Sequence, residues 1–224
     1  MTEPKVVCGL LTWNHRATGR EQMFWDTLNS LADGDYPCEI ITVTNGATEQ
    51  ATIDAVRALG GIVDETDGIW YGMTLAIEEC VRRGADLVVF SADDGLYAKG
   101  WLRKLVAFWR DMPAEVKIVC PTLNGVWPWN MPRGYIEGGG LRGLVRDSVP
   151  GSFWTFRAED WPLIKELMPQ SSPGEDLAVS QALNDMGYML VEVELCSHVG
   201  AFRSAWGNRS EEWVAPLDRE RWGV

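Results

Sequence analysis

Three groups of side chains stand where they could do chemistry. Asp93 and Asp94 close the apolar run "DLVVFSADDG", Glu175 and Asp176 open "EDLAVSQALNDMG", and His198, one of two histidines in the chain, ends "VEVELCSHVG". Adjacent carboxylates repel each other unless a cation or water screens them, and a hard divalent ion with oxygen ligands is a natural partner. Each group also has a local reading. Asp93 or Asp94 could cap the helix that begins near Lys99, and Glu175 and Asp176 suit the positive end of a helix dipole. A single histidine after a strand is often only a hydrogen-bonded or surface residue. Taken singly, the groups carry little; taken together, they point beyond local structure.

The elements that must position them come next. "KVVCGLLTW" is a short apolar run rich in β-branched residues, and "REQMFWDTLNSLA" after it spaces Met23, Phe24, Thr27, Leu28 and Leu31 as a helix does. "CEIITVTNGA" repeats the strand, and "TEQATIDAVRALGG" the helix, stopped at Gly60 and Gly61. A third round runs through "GIVDET", the helix "GMTLAIEECVRRGA" and the strand "DLVVF". Continuous apolar strands alternating with helices predict an α/β fold whose parallel sheet is covered on both faces. Such sheets bind ligands beyond the carboxyl ends of their strands, which is where Asp93 and Asp94 fall.

The second half is less regular. It reads as a helix "WLRKLVAFWRDM", a strand "KIVCPT", a loop rich in aromatic residues and glycine from Gly125 to Arg146, and a strand "GSFWTFR". Two helices, "DWPLIKELM" and "EDLAVSQALNDMG", and a strand "YMLVEVELCSHVG" follow.

Length and charge exclude several classes. The 224 residues suit one domain with a substantial core. No positively charged leader precedes an apolar run at the start, and no stretch is apolar for long enough to span a membrane, so a soluble protein is expected. Five dispersed cysteines fit reduced core thiols and a cytoplasmic, reducing compartment better than a disulfide framework or a zinc cluster. A net charge of -12 disfavours protein-wide attraction to nucleic acid or anionic lipid.

In order along the chain, the motifs resemble those of the family 2 glycosyltransferases of the GT-A fold. "LLTWNHR" is similar to that family's opening Thr-Tyr-Asn-Arg turn, "EIITVTNGA" to its Val-Asp-Asn-Gly-Ser turn, and "SADDGLYAKGWLRKL" to its Asp-x-Asp segment and following helix. "GEDLAVSQALNDMGY" resembles the Glu-Asp helix, and "CSHVG" the histidine beyond it. The resemblance implies a Rossmann-like, mixed but mainly parallel sheet flanked by helices. It covers residues 1–224 as one domain, with a nucleotide-sugar half over 1–98 and an acceptor half over 99–224.

It further implies transfer of a sugar from a nucleotide-sugar, with UDP the first choice, to an acceptor hydroxyl. Thr12, Asn14, Thr44, Asn45, Asp67, Ala92 and Asp93 would line the donor. Asp93 and His198 would hold Mn2+ or Mg2+ at the diphosphate, and Asp176, beside Glu175, would be the general base. Three departures stand out: Ser91 replaces the family's first metal-motif aspartate, Thr44 replaces the aspartate after the second strand, and "LAVSQAL" lacks the usual arginine. The first of these predicts a weakened metal site.

Acceptor identity is expected in the second half, at Trp127, Trp129, Arg142, Arg146 and Trp154, with Arg133, Tyr135 and Phe153 nearby. Rings stack on sugar faces, so a saccharide is one reading. Rings interleaved with arginines also hold extruded bases, and basic residues outnumber acidic ones from Arg133 to Arg157. The alternatives are therefore an enzyme that glycosylates a hydroxymethylated base in DNA, and an inactive nucleotide-sugar-binding module motivated by Ser91. The rings could also simply cover the open end of the sheet. A nucleotidyl transferase would want a glycine-rich, lysine-bearing phosphate loop, which "LLTWNHRATGRE" is not.

Overall fold

The computed structural model describes residues 3–123, 132–168 and 175–199, the side chain of Glu175 excepted. Three βα rounds open the chain: β1 (Val6–Thr12) and α1 (Glu21–Ala32), β2 (Cys38–Asn45) and α2 (Gln50–Ala58), β3 (Ile62–Asp64) and α3 (Ile69–Arg82). Then come β4 (Leu87–Ala92), β5 (Gly95–Tyr97), α4 (Trp101–Asp111) and β6 (Val116–Thr122). After a hairpin of β7 (Gly134–Gly138) and β8 (Leu141–Arg146), the chain forms β9 (Phe153–Arg157), α5 (Trp161–Leu167), α6 (Glu175–Asp185) and β10 (Met189–His198).

The strands join one sheet in the order β3-β2-β1-β4-β9-β6-β10-β8-β7, with β5 paired to β10. β3, β2, β1, β4, β6 and β10 run one way, while β9 and β8 run the other. The α/β class and the mainly parallel sheet are as expected from the apolar runs. β1 is buried at every position because strands lie on both its edges and α3 packs on one face. Full burial of each such aliphatic side chain stabilises by roughly 1.5–3 kcal/mol.

On α4 the buried residues Trp101, Leu102, Leu105, Val106, Phe108 and Trp109 recur at helical spacing. The sequence "REQMFWDTLNSLA" does form a helix, and it buries Phe24, Thr27, Ser30 and Leu31.

Two elements differ from expectation. The segment read as a loop up to Arg146 contains the β7–β8 hairpin, in which Gly138 pairs Leu141 across a two-residue turn. Gly139 and Gly140 take φ of 56° and 77°, the left-handed pair that a tight hairpin turn requires. β5 is three residues long, too short for a periodicity to show. The cysteines are free thiols, with all but Cys38 buried. Among the described residues no helix is long and apolar enough to cross a membrane.

Candidate functional site

The parallel register brings the ends of three strands level. Thr12 of β1 lies opposite Thr44 of β2, and Leu11 lies opposite Ala92 of β4. Past these ends three loops meet, and buried side chains tie them together. Asn14 accepts the backbone N–H groups of Thr48 and Glu49 on Oδ1, both at 3.0 Å, and donates from Nδ2 to Thr48 Oγ1. Asn45 donates from Nδ2 to the carbonyls of Thr66 and Gly68. A Cβ at Gly72 would sit 2.1 Å from Asn45 Oδ1, so that glycine lets α3 come close.

Asp93 and Asp94 are 4% and 6% exposed. Burial would be costly for two bare carboxylates, and the structure compensates with Arg20, at the start of α1. Its Nη2 lies between the two, 2.5 Å from Asp93 Oδ1 and 2.6 Å from Asp94 Oδ2. Thr12 donates its hydroxyl to Asp93 Oδ2 at 2.6 Å. His198 reaches the group because the end of β10, still paired with β6 at Cys196, also pairs antiparallel with β5, setting His198 opposite Gly95. Its Nε2 then stands 3.3 Å from Asp94 Oδ2, and its ring packs edge-on to Phe153.

Burial is the largest influence on Asp93 and pushes its carboxyl up to about 6, with Asp94 adding to the rise and Arg20 opposing it. Burial also works against Asp94, yet the His198 contact and the Arg20 charge hold that carboxyl below its ordinary value.

As they stand, these side chains do not fit a divalent ion. Among the described residues no three His, Cys, Asp or Glu side chains are grouped to hold one. The place between the two carboxylates is taken by a guanidinium. Ser91, where the resembled family has an aspartate, is fully buried and donates its hydroxyl to the Ala92 carbonyl.

Asp176 lies in the first turn of α6. Its Oδ2 accepts the N–H of Gly151 at 3.2 Å and its Oδ1 that of Leu177 at 2.8 Å. Ser152, next to Gly151, accepts the Ala92 N–H on its carbonyl, so two short links join Asp176 to the residue preceding Asp93. Trp70, at the start of α3, leans on the same glycine: a Cβ there would meet its ring at 3.3 Å.

Thr12, Asn14, Thr44 and Asn45 are all buried, and at Asn14 and Asn45 the hydrogen bonds serve neighbouring loops. Asp67 and Ala92 are more open, and Trp13, 44% exposed, donates from its indole to the Gly46 carbonyl.

Two expected acceptor residues are corrected. Arg146 is 1% exposed and forms an ion pair inside the sheet with Glu192 of β10 at 2.8 Å. Trp154 is fully buried on β9 opposite Phe90, as is its neighbour Phe153. None of the three can meet an acceptor. Arg142 is on the edge hairpin, its guanidinium stacked 3.8 Å over the Tyr135 ring, and Arg133 pairs with Asp147. Trp127, Trp129 and the Glu175 side chain lie outside the described residues.

Two residues escaped the motif reading. Arg20 is a lone arginine ahead of an amphipathic helix, and its only clue is the need of a buried acidic pair for a counter-charge. His15 is 1% exposed, stacks on Phe24, and has Nδ1 3.3 Å from Thr12 Oγ1; burial lowers its basicity.

No family model and no curated protein sequence matches this chain. Solved structures do. A mannosyltransferase from Pyrobaculum calidifontis, PcManGT, in complex with GDP-Man and Mn2+, superimposes with a TM-score of 0.64 at 19% identity over 92% of this chain. Residues 1–349 of S. aureus TarS give 0.61 at 15% identity over 89% of the chain. The same TarS segment in complex with UDP-GlcNAc gives 0.57 at 16% identity. The chain spans 60% of the PcManGT chain and 61% of the TarS segment. At these identities the likeness is one of fold: the sheet described above is built like those of PcManGT and TarS.

Proposed function

We propose that this chain is a glycosyltransferase that takes a nucleotide-sugar, a UDP-sugar before others, and passes the sugar to an acceptor hydroxyl. The observation that carries the reading is the Asp93–Asp94–His198 group at the end of β4, linked through Ala92, Ser152 and Gly151 to the Asp176 carboxylate. The fold neighbours solved with GDP-Man and with UDP-GlcNAc support it.

On this reading residues 1–98 bind the donor. The buried Thr12, Asn14, Thr44 and Asn45 shape the loops, and Trp13, Asp67 and Ala92 offer the surface that the nucleotide meets. Asp176 takes the proton from the acceptor hydroxyl as its oxygen forms a bond to the anomeric carbon and the bond to the diphosphate breaks. Its hydrogen bonds from two backbone N–H groups fix the direction of the carboxylate. Mn2+ or Mg2+ is the cofactor that the resemblance implies; when bound, such an ion supplies positive charge to the leaving diphosphate. Asp93, Asp94 and His198 could hold it only with Arg20 withdrawn, so no step is assigned to it.

A saccharide acceptor is favoured over DNA. Of the arginines that motivated the DNA reading, Arg146 is buried against Glu192 and Arg133 is paired with Asp147, which leaves Arg142, stacked on Tyr135 at the surface, without a carboxylate partner among the described residues. The test is turnover of UDP-sugars against a panel of saccharides and hydroxymethylated DNA. Asp176→Asn should lower turnover by roughly 10²-fold or more while donor binding persists, the scale of a lost general base. Near-normal turnover would remove Asp176 from that role, and activity on DNA alone would overturn the saccharide reading.

A further inference from the structure

The first turn of α3 carries three bulky apolar residues in a row, Ile69, Trp70 and Tyr71. Ile69 and Tyr71 are exposed and Trp70 is half-buried. Trp70 is held from within by Trp154 of β9, the two ring centroids 6.5 Å apart and their planes at 51°. Trp154 is fully buried and cannot meet a ligand itself, but it gives the Trp70 ring a fixed seat.

The outer end of that ring reaches towards Asp176. A Cβ built on Gly151 would lie 3.3 Å from Trp70 Cη2 and 3.2 Å from Asp176 Cβ, so no more than about 6.5 Å separates those two atoms. The residue between them has no side chain, which is what lets the ring and the carboxylate share one place. Asp176 is half-buried, and each of its oxygens accepts one backbone N–H, leaving room on both for a further donor. Leu177, next along α6, is exposed.

We propose that Trp70 is an acceptor-binding residue: its indole face carries the C–H face of an acceptor saccharide while one rim hydroxyl of that sugar meets Asp176. A sugar ring is apolar on its faces and polar around its rim, and an indole beside a carboxylate matches both. The electron-rich face of the indole attracts polarised C–H groups, and the carboxylate accepts the hydroxyl proton. Trp has only two side-chain torsions, so ordering it costs little, and two points of contact fix the direction in which the hydroxyl oxygen attacks. The proposal rests on the reading of Asp176 as general base. It also moves part of the acceptor site into residues 1–98, the half assigned to the donor.

The experiment is saturation-transfer NMR on the full chain with UDP present, using methyl glucoside, methyl mannoside and methyl galactoside as probes. Wild type should saturate the C–H protons on one face of at least one glycoside. Trp70→Leu keeps apolar bulk without a ring and should bind that glycoside about tenfold or more weakly, while Trp70→Phe restores most of the binding. UDP binding, read on the same samples, should persist in both variants. Equal glycoside binding by Trp70→Leu, or a loss in Trp70→Phe as large as in Trp70→Leu, would overturn the assignment of Trp70. Loss of UDP binding along with the glycoside in Trp70→Leu would make the ring structural and overturn it too. Wild type that binds UDP and none of the glycosides would overturn the saccharide platform and leave the donor reading standing; wild type that binds neither would overturn both.

Discussion

Thr12→Val is a nearly isosteric change that removes one interaction from the centre of the site. The Thr12 hydroxyl donates to Asp93 Oδ2 at 2.6 Å, and the two residues are 2% and 4% exposed. Water therefore has little access to replace the lost donor, and a hydrogen bond to a charged group is worth about 1.5–3 kcal/mol. Taking about 2 kcal/mol, the melting temperature should fall by roughly 4–8 °C for a chain of this size.

The loss should also depend on pH. Thr12 stabilises the ionised form of Asp93, whose carboxyl is raised to about 6, so the wild-type advantage is present above that pH. It should shrink as pH falls through about 6 and Asp93 takes up a proton. Urea unfolding of both proteins at pH 8 and at pH 5 would measure this. A difference below about 0.5 kcal/mol at pH 8, or one that does not change with pH, would refute the claim that Asp93 is held as a buried carboxylate by Thr12.

Other expectations follow from the same geometry. Arg146→Met leaves Glu192 buried without its partner arginine and should destabilise by about 3–5 kcal/mol in urea unfolding, while the KM for acceptor in the surviving folded protein stays unchanged; a selective rise in that KM would restore Arg146 to the acceptor site. Glu79, which bridges Arg82 and Arg83 and is held down at about 2, contributes stability above the ordinary carboxylate range and loses it as pH falls through about 2. Glu79→Gln should therefore cost about 1 kcal/mol at pH 7, with the gap closing in acid; a gap that widens in acid would contradict the pairing. Gly72→Ala would place a methyl on Asn45 Oδ1, and a melting temperature equal to wild type would show that α3 is not packed as described.

Much of the donor half was legible because parallel strands buried on both faces show themselves as unbroken apolar runs between amphipathic helices. "DLVVF" ends where Asp93 and Asp94 begin, so the placing of the acidic pair beyond β4 followed from topology alone. The β7–β8 hairpin was not legible: "GGG" reads as a loop until the φ angles of Gly139 and Gly140 show a tight turn. Arg146 and Trp154 were misjudged because aromatic and basic residues beside glycines suggest a surface. The clue against this was Glu192 in "YMLVEVELCSHVG", an acid inside an apolar strand that must find a buried partner. Arg20 and Asp93 are 73 residues apart, and a contact of that kind has no local spacing to betray it.

The most direct test of the central claim is a calorimetric titration of the chain with UDP and with GDP, in manganese and in chelator, with Asp93→Asn alongside. The account predicts a saturable heat with UDP in manganese that Asp93→Asn abolishes. Absence of binding to both nucleotides, or equal binding by the variant, would contradict the assignment of the β4 strand end as the donor site.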